Sequence, residues 1–225
     1  MHIGLIGGIG PAATEYYYRG LIQRHERSGR PLDLTIVHAD LRDLARNRAS
    51  GDKRGQAAIF AGLVRRLAAA GANAAAVTSM GGHFCIDELE ALSPLPIINA
   101  IPEVDDAIRR RNLETVGILG TRAVMETGLY GGISSAQIVL PKGDALEAVD
   151  KTYFDMAITG CATDAQRRGL FSIGENLCRN QGADAIILGG TDLFLAFEGQ
   201  DCGFPVIDCA EVHVDLIYRM SVGEP

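Results

Sequence analysis

Three pairs of landmarks in this sequence stand at nearly one separation. Val116-Gly117-Ile118-Leu119-Gly120 repeats Ile3-Gly4-Leu5-Ile6-Gly7, with Gly4 and Gly117 lying 113 positions apart. Gly71-Ala72-Asn73 returns as Gly182-Ala183-Asp184, 111 positions on, and Leu95-Pro96-Ile97-Ile98-Asn99 returns as Phe204-Pro205-Val206-Ile207-Asp208, 109 positions on. A near-constant period in the same order marks a duplicated unit. Whatever the first copy folds into, the second must fold into again.

Each copy alternates short apolar runs with longer helical patterns. In the first, His2 to Ile6 reads as a strand, Ala12 to Glu26 as a helix and Leu34 to Val37 as a strand. A polar segment, His38 to Gly55, comes next. Gln56 to Ala70 has alanine and leucine at helical spacing and stops at Gly71. A strand at Ala74 to Thr78, a helix around Ile86 to Leu92 and a strand at Pro96 to Asn99 complete the copy. Helical crossovers between strands predict parallel sheets covered on both faces. The expected class is therefore α/β, with two pseudosymmetric open parallel-sheet, Rossmann-like halves related by internal duplication. We place the first half at residues 1–100 plus 209–225 and the second at 101–208. The closing helix, Ala210 to Met220, is expected to return to the first half. The aromatic run Tyr16-Tyr17-Tyr18 reads as packing.

Open parallel sheets bind ligands beyond the carboxyl ends of their strands. Here those ends are Gly7 to Pro11, Ser79 to Gly82, Gly120 to Arg122 and Gly189 to Asp192, expected to line one cleft between the halves. Thr78, Ser79, Thr121 and Thr191 bring hydroxyls, and the glycines between them let backbone N–H groups approach a bound group, which suits a carboxylate or phosphate. Gly8-Ile9-Gly10 is followed by Pro11-Ala12-Ala13, so no G-x-G-x-x-G forms and no dinucleotide cofactor is expected. The net charge of −7, with no basic run longer than Arg109-Arg110-Arg111, argues against nucleic acid. No apolar run approaches the roughly 20 residues that span a bilayer, and the N-terminus lacks the pattern of a signal peptide, so no membrane partner and a cytoplasmic location are expected. Five cysteines without a C-x-x-C pair give neither a disulfide framework nor a structural zinc site, and no metal is expected.

Ile3 to Thr14, Val116 to Thr121 with Met125-Glu126, and Gly182 to Asp192 resemble the aspartate/glutamate racemase family, on its aspartate racemase branch, and the likeness covers the whole chain. The resemblance implies a cofactor-independent homodimeric enzyme of two halves that binds a small acidic amino acid or related carboxylate. It also implies one acid/base on each side of the substrate α-carbon, usually a cysteine from each half. The sequence departs from that pattern at both places. Ser79-Met80-Gly81-Gly82-His83 stands where the family has cysteine or threonine, asparagine, threonine, any residue and histidine. Gly189-Gly190-Thr191-Asp192 stands where it has glycine, cysteine, threonine and glutamate. The catalytic positions carried over are Ser79 and Gly190, with His83 and Asp192 as orienting or replacement groups. Gly8, Ile9, Gly10, Arg46, Met80, Gly81, Thr121 and Thr191 are the expected substrate contacts, Arg46 by counting to an arginine that some members use for a distal carboxylate. Ile158 replaces a lysine found in some aspartate racemases, and Met80 and Gly81 make the site less polar, which suits a substrate with an apolar or bulkier arm.

The departures bear on chemistry. Removing the weakly acidic Cα proton needs a desolvated base poised near neutrality, and a thiol with a free pKa of about 8.5 can be tuned there. A serine hydroxyl needs an adjacent base, and glycine carries no proton at all. Three readings stay open: a racemase-type isomerase with a replacement base; a related carbanion reaction such as decarboxylation, elimination or cis-trans isomerisation; and a non-catalytic carboxylate-binding homologue.

Overall fold

The computed structural model describes residues 1–224. The chain forms two compact units, one made of Met1–Asn99 and the chain from His213 onward, the other of Ala100–Val212.

In the first unit the elements run β1 (Ile3–Gly7), α1 (Pro11–Ser28), β2 (Leu34–His38), α2 (Leu41–Ser50), α3 (Lys53–Ala69), β3 (Ala74–Val77), a 3₁₀ helix at Met80–Cys85, and α4 (Ile86–Leu92). The sheet is parallel in the order β2-β1-β3, and Ile97 bridges to Ala75 in the next place. All five residues of the central β1 are buried. Gly4 is part of the reason α3 packs so closely: a Cβ there would lie 2.7 Å from Leu67 Cδ1. The segment His38 to Gly55, expected as a polar connection, holds all of α2. Asp40 starts it by accepting from the Arg42 N–H at 2.8 Å, and Gly51, with φ 67°, ends it. Only Leu44 and Asn47 of α2 are buried, and Arg42 and Arg46 lie on its solvent face.

The second unit runs α5 (Ala100–Arg110), β4 (Thr115–Leu119), α6 (Arg122–Glu126), α7 (Gly128–Gly131), β5 (Gln137–Val139), α8 (Asp144–Thr159), α9 (Asp164–Gln181), β6 (Ala185–Leu188), a 3₁₀ helix at Thr191–Leu193, α10 (Phe194–Phe197), β7 (Val206–Asp208) and α11 (Cys209–Val222), the last of which ends in the first unit. Its sheet is parallel in the order β5-β4-β6-β7. The duplication shows in individual hydrogen bonds. Asn73 N–H donates to His2 O and Asp184 N–H to Thr115 O, both at 2.8 Å. Ala75 N–H donates to Pro96 O at 3.0 Å and Ile186 N–H to Pro205 O at 2.9 Å. Thr78 N–H donates to Ile6 O at 3.1 Å and Gly189 N–H to Leu119 O at 2.8 Å.

The part of α11 that belongs to the first unit is tied in by polar groups. His213 is fully buried; one ring nitrogen meets Ile98 O at 2.9 Å and the other the Tyr17 hydroxyl at 3.0 Å. A carbonyl only accepts, so Nε2 carries the proton and Nδ1 accepts from tyrosine. Ser221 Oγ pairs with His25 Nε2 at 2.9 Å. Successive helical residues point about 100° apart, and the tyrosine run therefore splits: Tyr17 is fully buried while Tyr18 is 48% exposed. The expected packing role belongs to Tyr17.

Candidate active site

The end of β3 delivers Ser79 in extended backbone, φ −151° and ψ 122°, as the residue just before the following 3₁₀ helix. Its carbonyl accepts from Gly82 N–H at 3.0 Å and from His83 Nδ1 at 2.8 Å. That bond places the proton of His83 on Nδ1 and leaves Nε2 as an acceptor, buried and without a partner. Burial pushes the His83 pKa down to about 4, with the bond to Ser79 O opposing in part, so the ring is neutral at pH 7. The His213 ring stands edge-on to it, 5.5 Å between centroids. His83 is thus bonded to the carbonyl of Ser79 and not to its hydroxyl.

Two residues on, Gly81 makes room for a guanidinium. A Cβ at Gly81 would be 3.1 Å from Arg48 Nη1 and 3.5 Å from Ser79 Oγ. Arg48 therefore reaches this corner from α2. Arg46, the arginine expected from the resemblance, is exposed and paired with Asp43 at 2.7 Å. Met80 is fully buried as a core side chain. Gly8 has φ 88°, and its N–H is taken by Thr14 Oγ1 at 2.9 Å. Ile9 is buried, with its Cδ1 3.5 Å from where a Cβ at Gly82 would stand, and Gly10 precedes α1 with φ 115°.

The matching corner of the second unit has the same backbone. Gly190 is extended, φ −120° and ψ 126°, and its carbonyl accepts from Leu193 N–H at 3.0 Å as Ser79 accepts from Gly82. Any residue adopts such angles. What excludes a side chain is Tyr153 of α8: a Cβ at 190 would lie 2.2 Å from ring atom Cε2 and 2.8 Å from Cδ2. The Tyr153 hydroxyl donates to Asp192 Oδ2 at 3.0 Å, and both residues are buried. Thr191 Oγ1 is buried with no hydrogen-bond partner. Thr121 is buried and caps α6, its Oγ1 accepting from Val124 N–H at 3.4 Å.

Other proton-bearing groups divide sharply. Cys85 is raised to about 12 and Cys209 well above the ordinary thiol range, by burial first and neighbouring carboxylates second, so neither supplies a thiolate. Asp208 ends β7 in register with Leu188 and caps α11 through a 2.8 Å bond from Ala210 N–H. Burial pushes its carboxyl up to about 7 against the lowering effect of the Ala210 and Glu211 N–H groups. Sequence reasoning used Asp208 only as a landmark and overlooked Tyr153, Arg48 and His213. Ile158 is 77% exposed. Among the described residues no group of three or more His, Cys, Asp or Glu could hold a metal ion, and no helix is long and apolar enough to cross a membrane.

A sequence model of the Asp/Glu/hydantoin racemase family matches residues 6–217. Among solved structures, a candidate Asp/Glu racemase from Yersinia pestis is 26% identical, with a TM-score of 0.85 over 99% of this chain and 100% of that one. An aspartate racemase homologue from Pyrococcus horikoshii OT3 is 23% identical, with a TM-score of 0.80 over 98% and 99% of the two chains. Glutamate racemase from Francisella tularensis, solved with D-glutamate, shares the fold at 16% identity, with a TM-score of 0.68 over 99% of this chain and 81% of that one.

Proposed function

We propose, from the premise that this chain belongs to the Asp/Glu/hydantoin racemase family, that it moves a proton at the α-carbon of a small acidic amino acid or related carboxylate without a cofactor. The family and the similar structures support a racemase-type function at the coarse level. The finer reading rests on one observation: Ser79, neutral His83 and the Arg48 guanidinium gather at one buried strand end. Arg48 supplies the charge that a carboxylate needs, and a paired guanidinium and carboxylate bind more strongly than neutral groups. Ser79 takes the position that the resemblance gives to an acid/base beside the α-carbon. His83, held neutral with an accepting Nε2, receives an N–H or O–H of the ligand and takes a proton only weakly, since its pKa lies well below working pH.

Two measurements test this. In deuterium oxide the Cα proton signal of L-aspartate or L-glutamate is expected to decay with the native protein and to persist with Ser79→Ala. Persistence with the native protein at high concentration, for both amino acids and both enantiomers, would sink the reading. Calorimetry addresses Arg48 separately. Arg48→Ala is expected to weaken carboxylate binding about 10- to 100-fold, the value of one or two charge-assisted hydrogen bonds, whereas Arg46→Ala changes it less than about twofold. The reverse order would return the role to Arg46.

A further inference from the structure

Two of the cysteines stand across from one another in the second unit. Cys178 lies on α9, and Cys202 lies 24 positions on, in the stretch between α10 and β7. Spacing sets the face of α9 that carries Cys178: Phe171, Gly174 and Cys178 are at i, i+3 and i+7 and share one side of the helix. Phe204 covers that side. Its ring lies so close over Gly174 that a Cβ there would be 2.3 Å from Cζ, and its centroid is 6.4 Å from that of Phe171. Cys202, two residues before Phe204, donates its S–H to the Phe204 carbonyl at 3.2 Å. The stretch of chain that lays the ring on α9 therefore carries the second thiol to it as well. Both cysteines are half-buried, unlike the buried Cys85 and Cys209. Burial first, then the charge of a Cys202 thiolate and that of Asp184, hold the Cys178 thiol above its ordinary range, and only a near neighbour's charge is felt in this way.

We propose that Cys178 and Cys202 are a redox pair, which a hydroperoxide converts to a disulfide that fastens α9 to the chain entering β7. The pair is independent of the proton-transfer reading above. Cys178, kept protonated, leaves the first attack to Cys202. The Cys202 sulfur displaces hydroxide from the peroxide as the O–O bond breaks and becomes a sulfenic acid, and the hydroxide takes up the proton that the thiol has lost. The Cys178 sulfur then attacks that sulfur; the S–S bond forms, the S–O bond breaks, and the oxygen leaves as a second water with the remaining thiol proton. Two thiols and one hydrogen peroxide thus give one disulfide and two waters, with two electrons passing from the sulfurs to the peroxide. What the link restrains is the irregular segment between Phe197 and Val206, which turns on two left-handed glycines, Gly199 with φ 68° and Gly203 with φ 81°. The edge strand β7 follows it directly.

The test uses Cys161→Ser protein, so that this exposed thiol cannot link one chain to another, with hydrogen peroxide as the oxidant. After treatment of the folded protein, the remaining thiols are alkylated in urea and the peptides are read by mass spectrometry. The expected result is one linked species joining the peptides of Cys178 and Cys202, with two fewer alkylated thiols than before treatment and both restored by dithiothreitol. Both thiols still alkylated, both carried to separate sulfinic acids, or Cys202 linked to a different cysteine overturns the pair. The link closes a loop and limits the unfolded chain, so the urea midpoint of the oxidised protein should lie clearly above that of the reduced protein. That difference should vanish in Cys178→Ser and in Cys202→Ser. A midpoint unchanged or lowered by oxidation, or a rise that survives either substitution, overturns the fastening of α9. The mass measurement needs no substitution at either position, so it decides the pairing even where a serine variant fails to fold.

Discussion

The stability of the first unit is expected to fall steeply as pH drops from about 6.5 towards 4. His83 and His213 are both buried and neutral, with pKa values lowered to about 4 and about 3, burial being the main cause in each and His83 adding to the effect on His213. An unfolded histidine takes its proton near 6.5. Between that value and the folded pKa the unfolded chain binds more protons, so stability is full above about 6.5 and is lost as pH falls. At ~1.4 kcal/mol per pH unit for each ring, the fall from 6.5 to 4 puts on the order of 7 kcal/mol at stake, comparable to the whole stability of a domain. Asp208 works in the opposite sense in the other unit. Its pKa is raised to about 7, so its contribution is full below the unfolded value near 4 and is lost as pH rises through 7. Urea unfolding of the native protein and of His213→Phe across pH 8 to 4 separates these. The variant should start lower, because Tyr17 and Ile98 lose a partner, and should lose less on acidification. Parallel curves for the two proteins would remove the histidine pair as the source of acid sensitivity.

Gly8→Ala is expected to cost about 3–5 kcal/mol, combining the strain of a left-handed L-residue with overpacking. Gly8 has φ 88°, and a Cβ there would lie 2.3 Å from His38 Nδ1 and 2.7 Å from the backbone oxygen of Ala39. The imidazole can move, but the carbonyl belongs to a chain segment held by the 2.8 Å bond from Ala39 N–H to Gly7 O. Gly29→Ala is the control, with φ 68° and nothing within 4 Å, and should cost about 1 kcal/mol from backbone strain alone. Midpoints of chemical unfolding measure both. Similar losses would mean that the turn after β1 relaxes easily and that its tight cover is unimportant.

The duplicated architecture could be read from sequence because its cause is local. Gly4 and Gly117 sit in central strands where a leucine of the covering helix, Leu67 or Leu177, comes within about van der Waals contact, so the repeated glycine reports a repeated packing event. Helix α2 was hidden by its own charge, although Asp40 and Gly51 flank it as caps. Arg48 could have been found by helical phase: Leu44 and Arg48 are four residues apart and share a face, whereas Arg46 lies on the other side. The reading of Ser79 and Gly190 as replaced family positions came from the resemblance alone. What fills the space beside Gly190 was not legible, since Tyr153 stands 37 positions before Gly190 on a different element and only tertiary packing brings them together. His213 is likewise 115 positions from the carbonyl it meets.

The closing helix also fixes an order of events in the making of the protein. His213 and Ser221 meet Tyr17, Ile98 and His25, yet they are synthesised only after the whole second unit. The half that leaves the ribosome first is therefore the half finished last. Until that helix arrives, its histidine-lined interior is a vacant berth, and contacts 115 to 196 positions apart are slow to close. A nascent chain in that state shows apolar surface to chaperones for as long as the second unit takes to be made, and the helical segment from His213 to Val222 ends that exposure.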